Sequence, residues 1–350
     1  MLVVVKAFSR PFYLDRCLTS IRANVDGADG VVVLDDGLLP EAVDRLRQRH
    51  PDVVFMRSPW AAEKPMVVRR TLKTATAVNP RQSSADQSLD RLADMVFRGL
   101  SIPPDMDPLP FWRESIAALD SDNIFLIEED CWLHTHLDLA AIDVQMHQHD
   151  VLVCHMFLQK RFASAPLLGA VGEAVTMELI NVPRPVDRNI APDTYFPVCL
   201  AIYDRAYWLA CHETAASFLP EWPIHAHAVD VVDQWMRQGR RCGFARLTPG
   251  PIRHGFSLSS LVPPSHYGAE ISLYDISDLL TESWLTGALG AMDDFPDDFA
   301  ETRLTTLVAQ RLGPKAAALL VEFRRAFAGY YDYLDRKPGE SIPPETPPAT

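Results

Sequence analysis

The sequence predicts an α/β fold with a mostly parallel central sheet flanked by helices. Two observations predict it. Short apolar runs alternate with amphipathic helical stretches from the first residue: Leu2 to Phe8, Val31 to Leu34 and Val53 to Met56 are strand-like, and helices are expected from Pro11 and over Pro40–Arg49 between them. The second is Asn123 to Leu133, NIFLIEEDCWL. There Ile124 to Ile127, an apolar run suited to a strand buried on both faces, meets Glu128, Glu129 and Asp130. Strand–helix–strand order of this kind implies parallel strands with right-handed crossovers, and open α/β sheets bind ligands at the carboxyl ends of their strands.

Composition sets the outer limits. The 350 residues are enough for one large α/β domain or two modest ones, and 48% hydrophobic content supports a sizeable core. A formal net charge of −13 argues against binding nucleic acid or anionic membrane through bulk charge. The six cysteines, Cys17, Cys131, Cys154, Cys199, Cys211 and Cys242, contain no CxxC pair and read as reduced, mostly buried thiols in a cytoplasmic protein. The run LVVV stops at Lys6, too short for a signal peptide or anchor, and no later stretch reaches the length of a membrane span.

In chain order, Pro11 suits the first turn of a helix whose apolar face is Phe12, Leu14, Leu18 and Ile21. The second strand ends in Asp35, Asp36 and Gly37. Between Ser58 and Pro110, Lys64, Arg69, Arg70, Lys73 and Arg81 make the most basic part of an acidic chain, with helices expected near Ala61–Thr76 and Ala85–Gly99. This reads either as a solvated helical face or as a segment that helps hold a diphosphate. Phe111–Leu119 is expected to be a helix leading into the acidic-ended strand. Beyond it, Leu137–His149 reads as helix, Val151–Phe157, Glu173–Val182 and Tyr195–Ala201 as strands, Asp204–Ser217 as helix, Val229–Gln238 as helix, Cys242–Leu247 as strand and Pro249–Gly255 as loop. Two helices, Ser272–Ala291 and Ala300–Tyr333, close the fold. The tail from Lys337, with five prolines, reads as disordered. Neither a GxGxxG after the first strand nor a GxxxxGK anywhere is present.

Three acids at one strand end repel one another unless a cation or polar ligand is present. A hard divalent ion, Mg²⁺ or Mn²⁺, prefers such oxygens and keeps positions for phosphate oxygens. The bland alternative is a strand followed by an acidic turn. His225, His227 and His254 invite a zinc reading, with His225 and His227 on a non-helical stretch, but no nearby Cys or further His completes a tetrahedral set.

Three islands, VVVKAFSRPFYLDRCLTSI with VVVLDDG, then NIFLIEEDCWL, then YFPVCLAIYDRAYW with DQWMRQGRRC, together resemble GT-A glycosyltransferases, and the inverting N-acetylglucosaminyltransferase I family more than generic family 2 enzymes. They cover about a third of the chain. The resemblance implies a GT-A fold with a C-terminal helical extension: residues 1–135 as the nucleotide-sugar-binding half, 136–270 as the acceptor-binding and catalytic half, 271–336 as C-terminal helices and 337–350 as a tail. It implies a metal-dependent transferase that moves a sugar from a UDP-sugar, UDP-N-acetylglucosamine among the candidates, to a small-molecule or glycan acceptor.

Carried over by position, Arg10 would contact the diphosphate and Asp35 the uracil, with Asp36 and Trp235 on the same nucleotide-sugar surface. Glu128 would face the donor sugar, Glu129 the ribose or the metal's waters, and Asp130 would ligate Mn²⁺ or Mg²⁺, with His254 as a second metal or diphosphate contact. Asp233 matches the family's base, its pKa raised beside Trp235, and Asp230, one turn earlier, is the alternative. The triplet is Glu-Glu-Asp rather than Glu-Asp-Asp, and Gln234 stands where the family has a second Asp. Two other functions fit fewer residues. A catalytically silent nucleotide-sugar-binding protein is compatible with the two glutamates of the triplet. A sugar nucleotidyltransferase would need a Gly-rich, Arg-containing loop where the chain reads AFSRPFYLDR.

Overall fold

A computed structural model describes residues 1–67, 106–156, 166–182, 194–197, 200–217, 222–255 and 273–334. The basic residues Arg69, Arg70, Lys73 and Arg81, the helix expected at Ala85–Gly99, Cys199 and the tail from Lys337 lie outside them.

The strands are β1 (Leu2–Ala7), β2 (Val25–Asp26), β3 (Gly30–Asp35), β4 (Val53–Arg57), β5 (Asn123–Glu128), β6 (Cys131–Leu133), β7 (Leu137–Asp138), β8 (Val151–His155), β9 (Leu167–Ala170), β10 (Thr176–Leu179), β11 (Ala201–Asp204), β12 (Gly243–Thr248) and β13 (Ile252–His254). The helices are α1 (Pro11–Asn24), α2 (Pro40–Arg49), α3 (Pro108–Ala117), α4 (Leu139–Gln148), α5 (Arg205–Cys211), α6 (Trp222–Arg237), α7 (Leu273–Thr286), α8 (Glu301–Leu312) and α9 (Pro314–Leu334). No helix among the described residues is long and apolar enough to cross a membrane.

Nine strands form one sheet in the order β4-β3-β1-β5-β11-β8-β12-β10-β9. Its first four strands are all parallel, as the alternating pattern predicts. From β11 onward the sheet is mixed: β11 runs antiparallel to both neighbours, β8 and β12 pair in parallel, and β10 is antiparallel to β12 and β9. From β1 the chain moves outward to β3 and β4, then returns to place β5 on the other side of β1. The strand order therefore reverses between β1 and β5, the topological switch at which such sheets open a crevice for ligands.

Strand parity sorts the core. Val3, Val5, Phe125 and Ile127 face one side, with α1, α2, α4 and the C-terminal helices through Trp284, Leu304 and Leu320. Val4, Ile124 and Leu126 face the other, with α3, α5 and α6 through Trp112, Tyr207 and Val232. Both faces are covered, which is why NIFLIE reads as a continuous apolar run.

Several boundaries differ from expectation. The strand expected over Tyr195–Ala201 starts at Ala201. Leu200 has φ +59 and Pro197 has no N–H for a ladder, so neither position suits a strand. The helix expected at Val229 begins at Trp222, so His225 and His227 are helical. Two residues apart on a helix is about 200° of rotation, so they point to different sides and cannot chelate one ion together. The Pro249–Gly255 loop contains β13, which pairs with β6. The expected last helix is two, divided at Gly313, whose φ of +87 ends α8 before Pro314 starts α9.

The C-terminal helices belong to the main core. Asp15 of α1, fully buried, lies 2.8 Å from His50 Nε2 and accepts from Trp284 Nε1 of α7 at 2.9 Å and Arg49 Nε at 3.0 Å. Fully buried Arg16 donates to the carbonyls of Ala291, Asp293 and Asp297, and its guanidinium lies over the rings of Trp132 and Phe299. Burial would raise the Asp15 pKa, but the hydrogen bonds from His50 and Trp284 and the charge of Arg49 outweigh it and hold the carboxyl below its ordinary value. A depressed folded pKa contributes stability above the unfolded value of about 3.9, and that stability is lost as pH falls through the lower folded value. Asp15→Asn should cost about 2 kcal/mol at pH 7, and its deficit relative to the parent should shrink below about pH 4. Urea unfolding at a series of pH values measures this; a deficit independent of pH would remove the carboxylate from the clamp.

Candidate active site at the carboxyl end of the sheet

One carboxylate bridges the strand ends at the switch between β1 and β5. Glu129, 1% exposed, follows β5 and donates its N–H to Lys6 O at 2.9 Å. Its side chain accepts from three successive backbone amides after β1: Phe8 at 3.0 Å, Ser9 at 3.3 Å and Arg10 at 3.4 Å. Arg10 Nε adds a fourth bond at 2.8 Å. The same guanidinium reaches forward, Nη1 lying 2.7 Å from Asp130 Oδ2. Arg10 is the N-cap of α1 and Pro11 its first residue, so the helix start fixes where the side chain leaves the backbone.

Asp130 is buried and meets a second element. β13 runs antiparallel to β6, with His254 directly opposite Cys131, and Gly255 N bonds Asp130 O at 2.6 Å. His254 Nε2 lies 3.6 Å from Asp130 Oδ2, and Cys131 Sγ lies 3.7 Å from Asp130 Oδ1. One ligand atom from each of Asp130, Cys131 and His254 falls within 4.8 Å of the others, a grouping able to hold a metal ion. A side chain at Gly255 would meet the Tyr13 ring at 2.7 Å, so only glycine lets β13 lie this close to α1. Burial pushes the Asp130 carboxyl up, but Arg10 and His254 reverse this and hold it below the usual range. Burial likewise works against the Arg10 charge, and Asp130 and Glu129 more than restore it.

Glu128, the last residue of β5, is opposite Lys6 in the register, and Lys6 Nζ lies 2.8 Å from its Oε1. Lys6 is 5% exposed and its ammonium sits 4.8 Å from the Trp112 ring centroid. The Glu128 side chain, 28% exposed, is the open one of the triplet.

The Asp35–Asp36 turn forms a second cluster. Asp35 is fully buried and its Oδ1 accepts from Gly37 N at 3.0 Å and Leu38 N at 2.7 Å, while Arg57 Nε lies 3.4 Å from Oδ2. Burial raises its pKa. Asp36 accepts from Trp60 Nε1 at 2.8 Å and pairs with buried Lys64, whose ammonium lies 5.5 Å from the Phe8 ring centroid. Burial pushes Asp36 up and Lys64 down, and the attraction between them opposes both shifts. Gly37 packs against Phe8, so the turns after β3 and β1 touch.

The α6 residues form a third group. Val229, Val232 and Met236 face the core as the periodicity predicts, joined by Ile224, Ala228 and Val231. Asp233 is partly exposed and pairs with Arg237, one turn along, at 2.5 Å. Trp235 stacks beneath the Arg240 guanidinium at 3.6 Å and meets Tyr207 edge-on at 5.8 Å. Since Trp235 is about 200° around the helix from Asp233, its ring does not supply the apolar wall expected beside that carboxylate. Asp230 is exposed on the same helix.

The structure thus brings Arg10, Glu129, Asp130 and His254 into one cluster, joins Asp35 and Asp36 in another, and leaves Asp233, Asp230 and Trp235 on α6. It adds Lys6 and Cys131, which the sequence analysis did not place in the site, and pairs Lys64, there part of the basic segment read as a solvated face or a diphosphate holder, with Asp36. For Lys6 the available signal is a lysine closing an otherwise apolar buried strand.

No family model matches the chain, and no curated protein matches it. Among solved structures the chain is similar to S. aureus TarS, at 10% identity and a TM-score of 0.38, covering 94% of this chain and 55% of that one. It therefore spans little more than half of TarS. A TarS 1–349 structure in complex with UDP matches at 12% identity and a TM-score of 0.38, covering 95% and 91% of the two chains. The WbbM bifunctional glycosyltransferase matches at 14% identity and a TM-score of 0.32, over 69% of this chain and 38% of that one.

Removing the Arg10 charge tests the cluster's interdependence. Arg10→Met leaves two buried carboxylates without their shared cation and should destabilise the protein by about 3–5 kcal/mol. Equilibrium urea unfolding checks this; a loss below about 1 kcal/mol would mean the carboxylates do not depend on Arg10.

Proposed function

We propose that the protein is a glycosyltransferase that transfers a sugar from a UDP-sugar, with inversion and with a divalent metal, to the hydroxyl of a small-molecule or glycan acceptor. The observation that carries this reading is the Asp130–His254 pair beside Arg10 at the switch between β1 and β5, where the strand order opens the ligand crevice. The order and spacing of the three sequence islands support it. The unbridged, buried thiols among the described cysteines suit the cytoplasmic setting proposed with it.

The donor atoms fit a divalent ion. A carboxylate oxygen and an imidazole nitrogen 3.6 Å apart are spaced as two ligands of one ion, and imidazole suits Mn²⁺ better than Mg²⁺. When bound, the metal supplies charge neutralisation to the departing diphosphate. In this reading Arg10, charged and held between two carboxylates, lies against the diphosphate oxygens. Asp35 and Asp36 shape the turn that receives the uridine. Glu128, held by Lys6, faces the donor sugar. Glu129 keeps the β1–α1 loop in place and so acts through Arg10. Asp233 takes the proton of the acceptor hydroxyl as it attacks the anomeric carbon, Asp230 being the alternative base, and UDP leaves from the opposite face.

Two outcomes test the roles. UDP should bind much more tightly with Mn²⁺ than in EDTA, and Asp130→Ala should abolish that difference in calorimetry; equal affinity in both buffers for the parent protein would remove the metal from the reading. Asp233→Asn should lower turnover about 10²–10⁴-fold while leaving UDP-sugar affinity nearly unchanged, because a base serves the acceptor. Normal turnover would move the role to Asp230. UDP binding with no turnover on any acceptor and no hydrolysis would leave a nucleotide-sugar-binding protein.

A further inference from the structure

We propose that Asp130, Cys131 and His254 act as three ligands of one ion, and that the thiolate makes the site select zinc-like transition ions over manganese and magnesium. The site is argued from geometry; the ion's role at a sugar diphosphate rests on the reading above.

The ribbon β13–β6 builds it. His254 and Cys131 are directly opposed residues of an antiparallel pair, so their side chains leave the same face of the ribbon. Asp130 precedes Cys131, and the Gly255 N to Asp130 O bond at 2.6 Å holds the open end of the ribbon against it. Ligands bound at about 2.0–2.3 Å around a tetrahedral ion stand about 3.3–3.8 Å apart. His254 Nε2 lies 3.6 Å from Asp130 Oδ2 and Cys131 Sγ 3.7 Å from Asp130 Oδ1, so each stands at ligand spacing from one oxygen of the carboxylate, and one ligand atom from each of the three residues falls within 4.8 Å of the others. Three protein ligands leave a fourth position, the pattern of zinc sites that bind a substrate or water. Arg10 on Asp130 Oδ2 orients the carboxylate, as groups behind a ligand commonly do.

Charge favours the same answer. Glu129 and Asp130 carry two negative charges against the single charge of Arg10. Binding forms a metal–sulfur bond and sends the thiol proton to solvent, so the thiolate adds a third negative charge and a dication brings these groups to neutrality. Softness then decides the ion: thiolate and imidazole favour zinc and cobalt, whereas magnesium prefers an all-oxygen shell and manganese sits at the weak end of the divalent series.

Cobalt is the probe. Full-length reduced protein, stripped with EDTA, is titrated with Co²⁺ and read by absorption. A thiolate-to-cobalt charge-transfer band saturating at one equivalent is expected. It should disappear in Cys131→Ser, be erased by equimolar Zn²⁺ and survive a roughly tenfold excess of Mn²⁺ or Mg²⁺. Absence of the band, its persistence in Cys131→Ser, or equal displacement by Mn²⁺ would overturn the proposal. Because Cys131 is buried and its serine variant can fail to fold, X-ray absorption of the zinc-loaded parent gives an independent reading: one sulfur ligand at about 2.3 Å is expected, and a shell without sulfur overturns the site. UDP calorimetry on the same samples separates the two readings. UDP binding without a thiolate signal sinks the three-ligand site alone, and a thiolate signal without UDP binding sinks the glycosyltransferase reading alone.

Discussion

The Glu129 carboxylate, buried and accepting from Phe8, Ser9 and Arg10, is the contact on which the rest of the site depends. An ionised carboxylate out of water is costly unless its lone pairs are satisfied, and three backbone amides plus a guanidinium satisfy them. The carboxylate ties the loop after β1 to the end of β5 through the amides of Phe8, Ser9 and Arg10. Once it is folded back, Arg10 has one rigid position and Asp130 inherits a fixed partner. The second acid of the triplet therefore holds the loop after β1, and the third meets Arg10 and lies beside His254 and Cys131. The glutamate side chain at this position reaches across the switch to the three amides.

Behind that contact, α1 works as an axle. Its first turn carries Arg10 and Tyr13, the latter packed on Gly255 and stacked on Trp132 at 5.9 Å, with its hydroxyl donating to Asp298 at 2.7 Å. Its second turn carries Asp15 and Arg16, which grip α7 and the segment from Ala291 to Asp297. The C-terminal helices are thus bonded to the same short helix that positions the guanidinium. Loss of that packing would reach the acidic turn through one helix and two aromatic rings, so the extension serves the site even though none of its residues enters the cluster.

Much of this was legible in the sequence because it obeys local rules. NIFLIEEDCWL announces a strand buried on both faces and an acidic end, and the alternation of LVVV, VVVL and VVF with amphipathic helices announces the parallel half. The second half resists because its strands run both ways and its punctuation is tertiary. Leu200 takes a left-handed conformation that no residue preference for leucine would suggest, and the start of β11 moves with it. The helix through His225 and His227 is set by Ile224 and Ala228 packing on the core, two contacts a reading centred on histidines passes over. Cys131 was visible beside the acids, but its value depends on a strand at Ile252–His254 read in the sequence as loop. A cross-strand pair cannot be seen until both strands are known.

The pairing of Asp233 with Arg237 bears on whether that carboxylate can serve as a base. An arginine held against a buried carboxylate would fix it in its charged form and leave it a poor proton acceptor. Here the Arg237 side chain is 78% exposed and the pair lies one turn apart on a helix surface, a geometry worth about 0.3–0.5 kcal/mol. The pair is therefore weak, and the exposed guanidinium can swing into water at little cost. The proposed role of Asp233 is compatible with its ion pair, which holds the carboxylate by one weak surface contact.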